Sequence, residues 1–518
     1  MLNVNNNSGR IKREILVRIA TLQLEGKLEE GVSAIPRELA PKGSEPVRCC
    51  IYHDREILRQ RVIARLGCTN EENDDEEKSL CDYAKEALAR EKPTEPFLSV
   101  LHEACNACVK SHYMVTNACQ ACFARPCMIN CGKKAITITN GRASIDSQKC
   151  VNCGLCMQNC PYHAIIKIPV PCEESCPVNA ISKDEFGKEC IDYSKCIACG
   201  HCMSECPFGA MMDKSQLVDV LKHIMNGKKV VAMYAPAIAA QFRAQSGQFE
   251  AALMATGFSD VKEVALGADI TASKEACEFE ERMERGDKLM TTSCCPAYVR
   301  AVKLHVPELL PCVSDTRSPM HYIAQLVKEE NPENITVFIG PCLAKRKEGM
   351  DDEFVDYVLS VEEIGALFIA KKIDVAQQKA IEHDLTDVAT VSGRNFAVSG
   401  GVAEAVRVRL KHPENLRSTV INGLNSAGMK QLAQFGKIQS GSVPCTETTP
   451  NLVEVMSCEG GCIAGPSVVT NPRIAAIQLK KYVETGKKDE QNIKEAYEFA
   501  ARHGLHVLDE LVLRDPRA

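Results

Sequence analysis

Cysteine is the residue of this sequence that could do chemistry: the 518 residues contain 29 of them, and 17 fall between Cys105 and Cys206. Two runs, Cys150-x2-Cys153-x2-Cys156-x3-Cys160-Pro161 and Cys196-x2-Cys199-x2-Cys202-x3-Cys206-Pro207, have the spacing in which three thiolates wrap one [4Fe-4S] cluster and the fourth reaches its neighbour. A zinc ribbon needs only paired knuckles, and a c-type haem needs a histidine directly after the second cysteine, which neither run supplies. A looser copy, Cys119-x2-Cys122-x4-Cys127-x3-Cys131, lies upstream, and a half copy, Cys172-x3-Cys176-Pro177, lies between the runs. The half copy lacks a leading pair, for which Cys105-x2-Cys108 is the candidate; a separate zinc knuckle or free thiols are the alternatives there.

Exchange of the fourth ligand then gives four sets. One ferredoxin-like unit would hold Cys119, Cys122, Cys127 and Cys160 on one cluster, and Cys150, Cys153, Cys156 and Cys131 on the other. A second unit would hold Cys196, Cys199, Cys202 and Cys176, then Cys105, Cys108, Cys172 and Cys206, leaving Cys190 over. Four clusters in series serve no structural purpose that one would not, so the module reads as an electron relay.

A relay ends somewhere, and few cysteines follow it. Cys294 and Cys295 stand in Thr291-Thr-Ser-Cys-Cys-Pro-Ala-Tyr298, Cys342 in Gly340-Pro-Cys-Leu-Ala-Lys-Arg-Lys-Glu348, and Cys458 and Cys462 in Met456-Ser-Cys-Glu-Gly-Gly-Cys462. Adjacent cysteines do not readily ligate one cluster face, so if one of Cys294 and Cys295 binds metal, the other remains a thiol able to carry a proton. Four of these five cysteines are expected to form a fifth metal site.

The elements that must position them are short strands. Residues 228–235, 288–292, 335–339 and 452–456 are β-rich and alternate with apolar helical segments, the pattern of an α/β domain with at least partly parallel sheets. Ligands at the carboxyl ends of such strands converge in one crevice, and Gly460-Gly461 lets the backbone approach a bulky group. Residues 1–100 read as helices: Ile15, Ile19 and Leu22, then Leu58, Val62 and Leu66, recur at helical spacing, with Asp54 as N-cap and Gly67 as stop. The acidic run 71–77 reads as a solvated loop, Cys49, Cys50, Cys68 and Cys81 lack ligand spacing, and the tail 473–513 reads as helix broken near Gly486. The expected domains are 1–100, 101–213, 214–472 and 473–518.

A net charge of −6 with scattered Lys and Arg gives no footprint for nucleic acid. The longest apolar stretch is far shorter than a membrane span, and no secretory leader is visible, so a cytoplasmic protein is expected. In a large chain of that kind cysteine points to metal rather than disulfides.

Thr-Ser-Cys-Cys-Pro, Pro-Cys-x2-Lys-x2-Glu and Met-x-Cys-x-Gly-Gly-Cys, in this order behind ferredoxin motifs, resemble the three signatures of [FeFe]-hydrogenases, over about residues 105–470. The resemblance implies an α/β catalytic domain of two lobes, each with a short twisted sheet flanked by helices, beside an α+β ferredoxin-like module. It implies an H-cluster, a [4Fe-4S] cubane joined to a diiron centre with CO, CN and azadithiolate ligands, beside three to four further [4Fe-4S] clusters. Cys295, Cys342, Cys458 and Cys462 would ligate the cubane, with Cys462 bridging to the diiron centre. Cys294 would pass protons along a path through Glu278 and Ser314 to an outer Glu275. Lys345 would bind a cyanide ligand, steadied by Glu348, and Pro236, Ala237, Met456, Gly400 and Gly401 would lie near the cofactor. H2 and protons would be the substrates, a ferredoxin or similar one-electron carrier and the H-cluster maturation proteins the partners. The chain departs from the best-studied members at Tyr298 (Trp there), Met320 (Gln), Gly340 (Met) and Glu459 (Pro). A non-catalytic relative, either an iron–sulfur assembly protein or an H2 sensor, is the alternative; a polyferredoxin would leave the residues after Phe208 without purpose.

Overall fold

A computed structural model describes residues 6–68, 78–381 and 388–489. The acidic run 71–77 and the tail beyond residue 489 lie outside the described residues.

Two parallel sheets organise the C-terminal half. In the larger, the strand order is Asp260–Glu263, Val230–Tyr234, Ile335–Ile339, Tyr357–Leu359. In the smaller it is Met290–Thr291, Leu452–Met456, Ser418–Asn422. Every pairing within them is parallel, which requires cover on both faces. Val230, Ala232 and Tyr234 pack into one core with Leu16, Leu221 and Leu367, while Val231 and Met233 pack on the other face with Val264, Met320 and Ile323. The expected strands at 335–339 and 452–456 have those limits; the other two are trimmed at both ends to Val230–Tyr234 and Met290–Thr291.

The cysteine-rich module is built of antiparallel ribbons: His112–Val115 with Ile165–Ile168, Ile136–Thr139 with Arg142–Ile145, and Ile181–Lys183 with Glu189–Ile191. A fourth ribbon joins Leu98–Val100 to Met211–Asp213. Residues 98–100 are therefore strand, not helix as the reading of 1–100 has it; three buried residues between turns are too few for a helix and pair with the module's last strand instead.

The N-terminal helices Asn7–Leu24, Ile51–Arg65 and Leu80–Ala89 bury Ile15, Ile19, Leu58, Val62 and Leu66 in a core of their own. Asp54 is not the N-cap of the second helix. That position is Cys50, and Asp54, one turn in, accepts from the N–H groups of Val47 at 2.7 Å and Arg48 at 3.0 Å. Gly67 does end the helix, at φ +82°. The helical region is seated on the rest of the chain by buried charge: Asp213 meets Arg65 at 2.6 Å, Lys12 at 3.1 Å and Arg346 at 3.2 Å. Arg346 also pairs with Glu363, and Lys12 with Glu362 at 2.5 Å. One network thus ties the first helix, the end of the cysteine module and the C-terminal half together.

Candidate active site and electron relay

The relay repeats one backbone device. In the leading Cys-x2-Cys pair of each set the residue before the second cysteine is left-handed without being glycine: Ala107 (φ 47°), Ala121 (φ 51°), Asn152 (φ 54°) and Ala198 (φ 62°). Such residues avoid this region unless the turn requires it, and successive N–H groups in these turns form concavities for anions. The later cysteines repeat a second device, in which the N–H four residues on donates to sulfur. Ala135 donates to Cys131 at 3.3 Å, Ala164 to Cys160 at 3.3 Å, Ala180 to Cys176 at 3.2 Å and Ala210 to Cys206 at 3.4 Å.

Several of the sulfurs lie together. Cys131, Cys150, Cys153 and Cys156 line one cavity, and Cys176, Cys196, Cys199 and Cys202 line another. Cys127 feels the charges of Cys122 and Cys160; Cys108 feels Cys105 and Cys206, and Cys172 feels Cys206 and Cys108. Cys105-x2-Cys108 has the same left-handed turn as the other three pairs, so it belongs with them geometrically. Among the described residues no three His, Cys, Asp or Glu side chains converge on a single-ion site. Cys190 stands apart, its thiol donating to the Ser182 carbonyl across a hairpin at 3.2 Å.

Four loops leave the carboxyl ends of strands in the two parallel sheets and enclose one largely apolar cavity. Its walls include Pro236 and Ala237 after Tyr234, Cys294 and Cys295 after Thr291, Cys342 and Lys345 after Ile339, and Met456, Cys458 and Cys462. Cys199 of the relay lines the same cavity and acts on the charge of Cys458, so relay and pocket share a wall. Gly200 is pressed against Pro466, where a Cβ would come within 2.8 Å, and Gly461 against the Ala397 carbonyl, at 2.6 Å.

Cys295, Cys342, Cys458 and Cys462 line the cavity together, each half-buried, and desolvation, then mutual repulsion, raises the thiol pKa of Cys342 to about 12. Lys345 points into this cavity. Burial opposes its charge, but Glu348, 2.7 Å away, outweighs that and raises its pKa. Apart from this ion pair its Nζ donates no hydrogen bond to the protein. Four thiols, a buried ammonium with spare donors and a glycine-lined floor fit an iron–sulfur cofactor carrying anionic ligands.

Cys294 differs from the other thiols. Burial first, and then the Glu275 carboxyl, drive its thiol pKa well up. Glu275 itself is fully buried, and burial pushes its carboxyl up to about 8. It accepts from the Ser293 N–H at 3.1 Å; the Ser293 hydroxyl donates to the Thr316 carbonyl; the Thr316 hydroxyl donates to Glu278 at 3.1 Å and the Ser314 hydroxyl at 2.5 Å. Glu278 reaches the surface, with 16% of its side chain exposed. The structure therefore reverses the expected order: Glu275 is the inner carboxyl and Glu278 the outer one. Helix Val264–Arg285 turns position 275 inward and 278 toward the loop of Ser314, a difference of three residues on one helix that sequence alone does not orient.

Gly400 and Gly401 do not line the cavity. They form a turn behind it, where Gly400 N–H and Ala403 N–H donate to Glu454 at 2.7 and 2.8 Å. Sequence reasoning passed over Glu454, Ser293 and Thr316; only Ser293, inside the Cys-Cys motif, carried a signal. Of the departing positions, Tyr298 is wholly buried and donates to Thr291 Oγ1 at 2.6 Å. Gly340 leaves room for the Phe338 ring, which a Cβ would meet at 2.8 Å.

Fold and site together define an iron–sulfur protein in which a series of thiol sets ends at a buried four-thiol pocket. The family model for the C-terminal domain of the iron-only hydrogenase large subunit matches residues 228–466, with a 4Fe-4S binding domain at 143–166 and an LdpA Fe-S cluster-binding domain at 166–217. Iron hydrogenase 1 of Clostridium pasteurianum is 30% identical over 402 residues, 65% of this chain and 67% of that one. The periplasmic [Fe] hydrogenase large subunit of Nitratidesulfovibrio vulgaris is 30% identical over 372 residues, 62% of this chain and 85% of that one. The chain belongs to the iron-only hydrogenase family. A probable cytosolic Fe-S cluster assembly factor of Drosophila melanogaster is also similar, at 26% identity over 286 residues, covering 44% of this chain and 59% of that one. Among solved structures, a variant [FeFe]-hydrogenase of Chlamydomonas reinhardtii aligns with TM-score 0.47 at 21% identity, covering 57% of this chain and 97% of that one.

Proposed function

We propose that this chain is a hydrogenase that interconverts H2 with two protons and two electrons at an H-cluster held by Cys295, Cys342, Cys458 and Cys462. When bound, the H-cluster supplies the iron and the bridging amine between which H2 is split. Lys345 would donate to a cyanide ligand, Glu348 would keep that ammonium charged, and Pro236, Ala237 and Met456 would keep water from the pocket. Electrons would pass by way of Cys199 and its set to the outer clusters, and a ferredoxin-type carrier would dock on the first ferredoxin-like unit. That unit exposes Phe123, Ile129 and Val151, apolar side chains of the kind that line transient interfaces. Among the described residues no helix is long and apolar enough to cross a membrane, and the reading needs none.

The observation that carries this reading is a fully buried carboxyl, Glu275, that accepts from the N–H of Ser293, the residue before Cys294. The Cys294 thiol, the Glu275 carboxyl with the Ser293 hydroxyl 3.5 Å away, and Glu278 with the Thr316 and Ser314 hydroxyls upon it would supply the stations of a proton path, for which a protein that merely binds a cubane has no use. The assembly-factor relatives keep the other reading alive, and the two separate on one measurement. Infrared spectra of anaerobically matured protein should contain CO and CN bands, and reduced viologen should drive H2 evolution. Absence of both in iron-replete, matured protein would leave the assembly reading standing.

A further inference from the structure

A second thiol site sits on the relay. Cys49 and Cys50 are both exposed, with the Cys49 S–H donating to Cys50 Sγ across 3.9 Å. His53 Nδ1 lies 3.3 Å from Cys49 Sγ. Its Nε2 is 3.2 Å from the Glu103 carbonyl and 3.5 Å from the Glu103 carboxylate. Arg48 fixes the loop from the other side: it donates to the Ala104 carbonyl at 2.9 Å and Asn106 Oδ1 at 2.8 Å, and its guanidinium lies 5.0 Å from the centre of the Phe208 ring. Ala104 and Asn106 flank Cys105, and Phe208 follows Cys206-Pro207. The pair is thus mounted on the two segments that supply Cys105 and Cys206 to one cluster set.

We propose that Cys49 and Cys50 form a redox-active dithiol that exchanges with disulfide substrates at the surface and is returned to the thiol state by electrons from the cluster that Cys105, Cys108, Cys172 and Cys206 would hold. This shares the relay with the reading above but not the H-cluster. In the oxidising half, the Cys50 thiolate attacks a disulfide RSSR, giving Cys50–S–S–R and RS⁻. Cys49 then loses its proton toward His53 and displaces the second RS⁻, which takes up that proton, so that the dithiol closes and RSSR leaves as two thiol equivalents. In the reducing half, two electrons from the relay and two protons from solvent reopen the ring.

The surroundings suit these steps. N–H groups of His53 and Tyr52 in the first turn favour the Cys50 thiolate and lower its pKa, while Cys49, hydrogen-bonded to Cys50, is raised and stays protonated. That asymmetry is the division between attacking and resolving thiol. Adjacent Cα atoms are roughly 3.8 Å apart, closer than the about 4.4–6.8 Å of ordinary disulfides, so the ring is strained and readily reduced.

The test uses the full-length, cluster-loaded protein, hydroxyethyl disulfide as oxidant under argon, and differential alkylation read by mass spectrometry on the peptide carrying residues 49 and 50. Oxidation should close the pair in wild type and not in Cys50→Ser. Reduced methyl viologen, which fills the relay without the H-cluster, should then restore both thiols at least tenfold faster in wild type than in Cys108→Ser or Cys172→Ser. Of these two variants, the one used is whichever keeps the other clusters by electron paramagnetic resonance. Failure of the ring to close, or equal rates in wild type and the ligand variant, overturns the proposal. Restoration by viologen but not by H2 upholds the dithiol and counts instead against the hydrogenase reading.

Discussion

Glu275 and Glu278 lie three residues apart on one helix, yet the first is sealed from solvent and the second touches it. Ser293, Thr316 and Ser314 join them by hydrogen bonds. The helix thus carries both ends of a short polar path through an otherwise apolar wall, and each end makes a different demand on substitution.

Glu275→Gln should lower H2 evolution by about 10²–10⁴-fold, the span expected when a proton carrier is removed, with iron content unchanged. Glu278→Gln should cost less, because solvent can reach the Ser314 end directly. Viologen-driven H2 rates measure both, and equal losses would contradict the order of the path.

Folding holds a proton on Glu275 up to about pH 8 rather than the usual 4.5. The native state then binds more protons than the unfolded chain between those values, so this group removes stability as pH rises from 4.5 to 8, by an amount on the order of a few kcal/mol. Below 4.5 both states are protonated and the effect vanishes. Glu275→Gln should flatten the pH dependence of the denaturation midpoint across that window, and a protonated-carboxyl infrared band titrating near 8 should disappear with it.

Cys294→Ser should leave the cluster set intact while suppressing turnover, since a hydroxyl keeps the space but not the acidity of a thiol. Cys295→Ser should remove the cubane with it. Iron analysis beside activity separates the two: normal iron with little H2 for the first, depleted iron for the second.

Four relay cubanes and a six-iron H-cluster amount to about 22 iron atoms per matured chain. Cys108→Ser should lower the content to about 18. No loss would mean that Cys105 and Cys108 hold no cluster.

Asp213 faces Arg65, Lys12 and Arg346 in the interior, and these cations hold its pKa well below the usual range despite burial. Asp213→Asn would leave Arg65 without a carboxylate partner, while Arg346 and Lys12 keep Glu363 and Glu362, at a cost of about 3–5 kcal/mol for the uncompensated buried charge. Chemical denaturation should register it as a lowered midpoint.

The cysteine spacing made the relay legible because cluster geometry dictates local turns, and Ala107, Ala121, Asn152 and Ala198 all obey the same one. The strands Ile335–Ile339 and Leu452–Met456 were legible because buried parallel strands are short apolar runs. Glu275 and Glu278 could be named, but not ordered, since both fit one amphipathic helix and only its rotation against Ser293 decides. Asp213, Arg346 and Glu454 were not legible at all. Charged residues read as surface by default, and their partners lie far away in the chain. The seat of the N-terminal helices was hidden for the same reason.

That seat sets an order on synthesis. Helix Asn7–Leu24 packs against helix Val361–Ala370, and Lys12 waits for Asp213 and Glu362. Helix Asn7–Leu24 therefore waits for a helix made far later in synthesis before its packing is complete. Ile15 and Ile19 can pack early against Leu58 and Val62 of the neighbouring helices, but Leu16 and Ala20 stay incompletely covered until Val361, Ile364 and Leu367 have emerged. Arrival of the loop bearing Cys458 and Cys462, rather than completion of any one module, is what closes the pocket.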